Sequence, residues 1–275
     1  MLKSPPSLQT PNLTTGNNAL KPAVFNPPAM RGKRIGAYGT GGIGKTTLAA
    51  RSPGRKLFID LDESLAELRD TLDFQALQIN SASPLSWADL RKTIADANNV
   101  DTIIIDSVTR AEEMSVAHTL QNVKNEKENF VRSIEGYGYG KGYQHVFDTF
   151  LPLLADLDVH VRQGRNVILI MHECMSTVPN PQGEDYIRYE PRLQNPSSGK
   201  ASIRLRLKEW LDHLVFIGYD INVKDNRAKS SGSRTIYPLE MAHCMAKSRS
   251  LREQIIYDEG SVELWDQLKL CAKSN

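Results

Sequence analysis

The most regular feature of this chain is a series of short apolar runs separated by longer amphipathic or polar stretches. Arg34-Ile35-Gly36-Ala37-Tyr38 predicts a first short strand, and Lys56-Leu57-Phe58-Ile59-Asp60 a buried strand ending among the acids Asp60, Asp62 and Glu63. Thr102-Ile103-Ile104-Ile105-Asp106 is a continuous β-branched run of the kind central parallel strands show. Asn166-Val167-Ile168-Leu169-Ile170-Met171 predicts another buried strand, closing on His172 and Glu173. Leu214–Tyr219 reads as a further strand, with shorter candidates at 77–80 and 255–257.

Between the runs the pattern turns helical. Ser86-Trp87-Ala88-Asp89 carries a helix start signal, and Val146, Phe147, Phe150, Leu151, Leu154 and Leu157 recur at helical spacing. Residues 64–72, 110–134, 204–212 and 262–272 are also helix-compatible, with Lys124–Glu128 as a solvated face. A helix beginning near Thr46 must be short, because Ser52-Pro53-Gly54 ends it. Residues 136–143 read as a Gly/Tyr-rich loop, 175–200 as a long mobile loop or hairpin, and 229–233 as a turn. Residues 1–30 carry Pro5, Pro6, Pro11, Pro22, Pro27 and Pro28 without any period. They predict a disordered arm, or alternatively a segment that docks on a partner. Strands alternating with helices predict an α/β domain over 31–275, its mostly parallel sheet covered on both faces.

Composition narrows the setting. The formal charge is +2 and the pI about 8.3, so any nucleic-acid-binding basic surface must be local. Cys174, Cys244 and Cys271 are odd in number and far apart, which suggests free thiols in a reducing compartment. With no long apolar segment and no signal-like leader, the chain is expected to be soluble and cytoplasmic.

The chemistry starts between the first strand and the first helix. Gly39-Thr40-Gly41-Gly42-Ile43-Gly44-Lys45-Thr46 fits G-x-x-x-x-G-K-[ST], the phosphate-binding P-loop. Glycines let the backbone wrap a phosphate closely, and the wrapped N–H groups offer partial positive charge. Lys45 is expected at the β- and γ-phosphates of ATP, Thr46 on Mg²⁺, and Thr47 in the first turn beneath the loop. Asp106 follows an apolar strand and fits a carboxylate that holds Mg²⁺ through water, with a helix N-cap as its plainer role. One of Asp60, Asp62 and Glu63 can polarise the attacking water, Asp62 and Glu63 lying further past the strand end; a solvated acidic turn is the alternative. His172, at its own strand tip, can sense a γ-phosphate or simply be a satisfied structural group. Zinc is not expected, because His172-Glu173-Cys174 has no second ligand pair.

With these residues in place the chain resembles the RecA-like branch of P-loop ATPases. Within it, the similarity is to the phage-type AAA nucleotide-binding family related to RecA recombinases. The resemblance spans about residues 33–260 and rests on GTGGIGKTT at 39–47, LFIDLDES at 57–64, IIIDSVT at 103–109, ILIMHE at 168–173 and AKSR at 246–249. It implies a three-layer RecA-like fold, ATP hydrolysis with Mg²⁺, and a role in phage-type DNA recombination or replication. It also implies Asp62 or Glu63 as catalytic carboxylate, Asp106 as metal ligand and His172 as sensor. Lys247 and Arg249 match the family's basic pair that reaches a neighbouring subunit's nucleotide, which implies a ring or filament; a solvated basic turn is the alternative. By the same resemblance the 175–200 loop, with Tyr186, Arg188, Tyr189, Arg192 and Lys200, is a candidate contact for single-stranded DNA, as is 136–143. A single-strand-binding or other recombination protein is the expected partner.

Competing readings are weaker. A ParA/MinD-like ATPase would carry Lys where Thr40 stands, and a small-molecule kinase would need an arginine-rich lid. A nucleotide-dependent switch or loader with little DNA-dependent turnover uses the same P-loop and stays open.

Overall fold

The computed structural model describes residues 31–224, 227–258 and 260–270. The arm expected over 1–30 lies outside these residues, as do Cys271 and the end of the helix expected near 262–272. In chain order the elements are β1 (Arg34–Gly39), α1 (Lys45–Ala50), β2 (Lys56–Asp60), β3 (Ile79–Ala82), α2 (Trp87–Ala95), β4 (Thr102–Asp106) and α3 (Val108–Asn122). Then follow α4 (Lys141–Arg162), β5 (Asn166–Met171), β6 (Glu173–Val178), β7 (Tyr186–Pro191) and α5 (Ile203–Trp210). The last part holds β8 (His213–Lys224), β9 (Arg227–Tyr237), β10 (Lys247–Ser248), β11 (Ile255–Ile256) and α6 (Glu263–Gln267).

The main sheet has the order β11-β9-β8-β1-β5-β4-β2-β3, with β10 also on β8. From β8 through β3 neighbouring strands are parallel. β9 and β10 pair antiparallel with β8, and β11 antiparallel with β9. The apolar runs are unbroken because both faces are covered. On one face Ile103, Ile105, Leu169 and Tyr38 pack with residues of α2, α3 and α4. On the other, Ile104, Ile168, Ile170 and Ala37 pack with α1 and with Leu264 and Trp265 of α6. This is the three-layer α/β architecture expected, and its register sets Asp60, Asp106 and Ile170 side by side at one end of the sheet.

Several elements differ from expectation for identifiable reasons. The 110–134 helix stops at Asn122, where the Tyr137 hydroxyl donates to the carbonyls of Thr119 (3.1 Å) and Val123 (2.8 Å). The 136–143 segment is thus anchored by a buried tyrosine, and its second half is already α4. A Cβ on Gly142 would lie 2.1 Å from the Ile134 carbonyl oxygen, so the close approach there needs glycine. Residues 64–72 form turns and a short 3₁₀ stretch at Ala66–Leu68 rather than a helix. Asp60 holds the start of this stretch, its two carboxylate oxygens accepting the backbone N–H groups of Ser64 and Leu65. Residues 229–233 are part of β9, not a turn. Residues 175–200 hold the antiparallel hairpin β6–β7.

Candidate nucleotide site at the strand tips

β1 delivers the phosphate loop to the carboxyl end of the sheet, where ligands of parallel α/β proteins bind. Gly39 passes so close to β8 that a Cβ would lie 2.2 Å from the Ile217 carbonyl oxygen. Ile43 is fully buried and pins the loop to the core, while Thr40, Gly41 and Gly42 face solvent. Gly44 adopts φ 101, which favours glycine, and leads into α1 with Lys45, Thr46 and Thr47. Lys45 is buried, its Nζ donating to the carbonyls of Gly39 (2.6 Å) and Thr40 (2.8 Å). Burial pushes its ammonium below the usual lysine range, opposed by the nearby charges of Glu173, Asp106 and Asp62.

The acids separate into distinct positions. Asp106 is buried at the tip of β4 and accepts hydrogen bonds from the Thr46 hydroxyl (2.6 Å) and the Ser64 hydroxyl (3.0 Å) on one carboxylate oxygen. Burial pushes its carboxyl up, those two hydroxyls pull it down, and the charges of Asp62 and Asp60 add to the rise. Asp60 is spent on the turn it closes. Asp62 Oδ2 lies 3.0 Å from Nε2 of His172. A carboxylate only accepts, so Nε2 carries the proton. Burial works against ionised Asp62, but hydrogen bonds from His172 and Ser107 and the His172 and Arg110 charges outweigh it and lower its carboxyl. Glu63 is exposed at φ 57, beside the pair but not part of it. The backbone N–H of His172 donates to Thr109 Oγ1 at 3.1 Å, which ties the tip of β5 to α3.

Lys247 and Arg249 do not join this cluster. β10 pairs Lys247 with Leu214, at the start of β8, whereas Gly39 pairs with Ile217. Three residues of strand therefore separate the two levels, about 10 Å. Lys247 Nζ donates to the carbonyls of Lys208, Glu209 and Leu211, closing the end of α5. Arg249 pairs with Asp212 at 3.3 Å and is largely exposed. In the hairpin, Arg188 is turned inward onto Glu190 and Glu240, and Glu190 is also paired with buried Arg204. Arg192 and Lys200 are exposed, and Tyr186 is half-buried.

Tyr189 instead joins an aromatic cup beside Thr40, a cavity of about 330 Å³ that Phe216, Gly218, Tyr219, Tyr237 and His243 complete. Tyr189 and Phe216 stack at 5.1 Å and 14°, and His243 stands edge-on to Tyr237. Sequence reasoning also passed over Arg234 and Tyr257. Arg234 donates to the Ile43 carbonyl (3.0 Å) and lies 4.7 Å from the Tyr257 ring centre, while the Tyr257 hydroxyl donates to the Gly44 carbonyl (2.7 Å). No local motif marks either residue. Glu173 was noted only as part of a strand end, yet it is the foremost of the charges acting on Lys45.

Among the described residues no group of three or more His, Cys, Asp or Glu could hold a metal unaided. Thr46 and Asp106 still fit Mg²⁺, which keeps several waters and takes one or two carboxylates beside substrate phosphates. The strand, loop and helix, with a buried lysine and a Thr–Asp pair beneath them, define a P-loop nucleotide-binding protein. The AAA domain family matches residues 31–250, and the chain belongs to that family. No match is found among curated proteins. Among solved structures, the flagellar accessory protein FlaH of Methanocaldococcus jannaschii is similar over 83% of this chain and 85% of that one, with 11% identity and a TM-score of 0.41. Among the described residues no helix is long and apolar enough to cross a membrane.

Proposed function

We propose that this chain is a Mg²⁺-dependent ATPase that works on single-stranded DNA in recombination or replication of phage type. The observation that carries the ATPase reading is the convergence of Lys45 and Thr46 at the start of α1 with Asp106 and His172 at the tips of β4 and β5 and Asp62 in the turn after β2. Lys45 exchanges its two loop carbonyls for the β- and γ-phosphate oxygens. Thr46 and Asp106 would hold Mg²⁺, which supplies charge neutralisation at the phosphates. Asp62, kept ionised by His172, accepts the proton of the attacking water; Glu63 lacks that partner. His172 lies between this carboxylate and the hairpin that begins at the next residue, so loss of the γ-phosphate is felt at β6.

The DNA reading is supported by the aromatic cup at the base of that hairpin, with exposed Arg192 and Lys200 in the segment that follows. Bases stack on such rings without regard to sequence. If copies assemble as a ring or filament, Arg249 is the member of the basic pair exposed enough to reach a neighbour's nucleotide. A second reading, a nucleotide switch for a protein partner, is favoured by Met175 and Ile187, which are 71% and 65% exposed on the hairpin.

The test is ATP hydrolysis by wild type with and without single-stranded DNA, beside Lys45→Ala. Stimulation by DNA that disappears in the variant is the expected result. DNA-independent turnover refutes the DNA role and leaves the switch. Undiminished hydrolysis by Lys45→Ala refutes the site.

A further inference from the structure

The far edge of the sheet reaches back to the phosphate loop. Arg234, on β9, donates to the Ile43 carbonyl, and Tyr257, just past β11, donates to the Gly44 carbonyl. The two side chains support each other, the guanidinium lying over the ring at 4.7 Å. Tyr257 is 2% exposed, so its hydroxyl is held in place by the core. A third tie from the same region, Trp265 Nε1 to the Leu48 carbonyl at 2.9 Å, holds the helix that follows the loop.

From these contacts we infer that Arg234 and Tyr257 are positioning residues that set the phosphate-binding amides of the loop. The inference rests on the ATPase reading above. A trans peptide unit is planar, so its C=O and the next residue's N–H point in opposite directions. Holding the Ile43 carbonyl toward Arg234 turns the Gly44 N–H the other way, and holding the Gly44 carbonyl toward Tyr257 does the same for the Lys45 N–H. Those are two consecutive donors of the anion-binding concavity. Without the brace, the Ile43–Gly44 peptide can rotate and present a carbonyl oxygen to phosphate. The Leu48 N–H also binds the Gly44 carbonyl, at 2.9 Å, so the Ile43–Gly44 unit depends more on its brace than the next one does. The brace also explains why position 44 takes no side chain: a Cβ would lie 2.9 Å from the Tyr257 hydroxyl and 3.0 Å from Arg234 Nη1.

The test uses the full chain with Arg234→Ala, Arg234→Lys and Tyr257→Phe, and Lys45→Ala as reference. Binding of ATP and of inorganic tripolyphosphate is titrated, and KM, kcat and melting temperature are measured. Arg234→Ala is expected to weaken both ligands about threefold to tenfold, the value of one hydrogen bond. Tyr257→Phe has a smaller effect of the same kind. KM rises in step while kcat holds, because the loop grips phosphate alike in ground and transition states. Arg234→Lys keeps a donor and recovers part of the loss. Unchanged affinities with a lowered melting temperature would show mere packing and overturn the inference, while Lys45→Ala still reports the site intact. Weaker ATP binding with unchanged tripolyphosphate binding would place the two residues at the base or sugar and also overturn it. A wild type that binds neither ligand overturns the ATPase reading and this inference together.

Discussion

Replacing Asp106 by asparagine separates the cost of this carboxylate from its use. Asp106 is 4% exposed, with Asp60 and Asp62 close enough to raise its carboxyl further. Its compensation is two hydroxyl hydrogen bonds, from Thr46 and Ser64, and the field of Lys45. The effective penalty for burying an ion is several kcal/mol. Asparagine removes that penalty and keeps an acceptor for the hydroxyls, but each bond to a neutral acceptor is weaker by about 1 kcal/mol. The net expectation is a nucleotide-free protein more stable by about 1–2 kcal/mol, or roughly 2–8 °C in melting temperature for a domain of this size. The gain should shrink as pH falls, because wild-type Asp106 then takes up its own proton. Turnover should fall to background at any Mg²⁺ concentration, since no carboxylate remains beneath Thr46. Thermal denaturation without nucleotide, at two pH values, and a Mg²⁺-dependent ATPase assay check the pair of effects. A variant less stable than wild type would refute the reasoning about the buried charge. A variant that still hydrolyses ATP with the wild-type Mg²⁺ dependence would refute the metal role.

Lys247→Ala should lower stability by about 1–2 kcal/mol through the three carbonyls it leaves, two in α5 and one just past it, with ATP affinity unchanged. A large loss of turnover at unchanged melting temperature would instead support the expected role at a neighbour's nucleotide. Glu112, which accepts the Gln194 N–H at 2.6 Å, has its carboxyl pushed by burial up to about 7, against the pull of Gln194 and the arginines Arg204 and Arg192. Its folded value is raised, so its contribution to stability is full below about 4.5 and is lost as pH rises through about 7. A move of that size is worth roughly 3 kcal/mol, which partial exposure reduces to about 2. Chemical denaturation of Glu112→Gln should show that slope removed between pH 5 and pH 8; an unchanged slope would refute the assignment.

The sheet and its phosphate loop were legible because their signals are local. Ile103-Ile104-Ile105 is buried whichever way each side chain points, so an unbroken apolar run already implies two covered faces. The loop from Gly39 to Thr46 is contiguous, so its pattern can be read from neighbouring residues even though Gly39 and Gly44 also make room for distant parts of the chain. Asp106 could be placed at a strand tip for the same reason. Local pattern failed where a distant side chain or a turn intervened. Asp60 ties the N–H groups of Ser64 and Leu65 into a turn where 64–72 was expected to be helical, and Tyr137 bonds the carbonyls at the end of α3.

Tertiary structure alone decided the rest. Asp62 meets His172 across 110 residues, and that contact distinguishes it from Glu63 next door. Arg234 and Tyr257 reach the loop from 191 and 213 residues away. Lys247 and Arg249 have a meaningful spacing, but the pairing of β10 with the start of β8 carries them to another level of the sheet. Each of these outcomes depends on strand order and register. Those follow from how the whole set of apolar faces packs, a property of the assembled chain that no window of neighbouring residues contains.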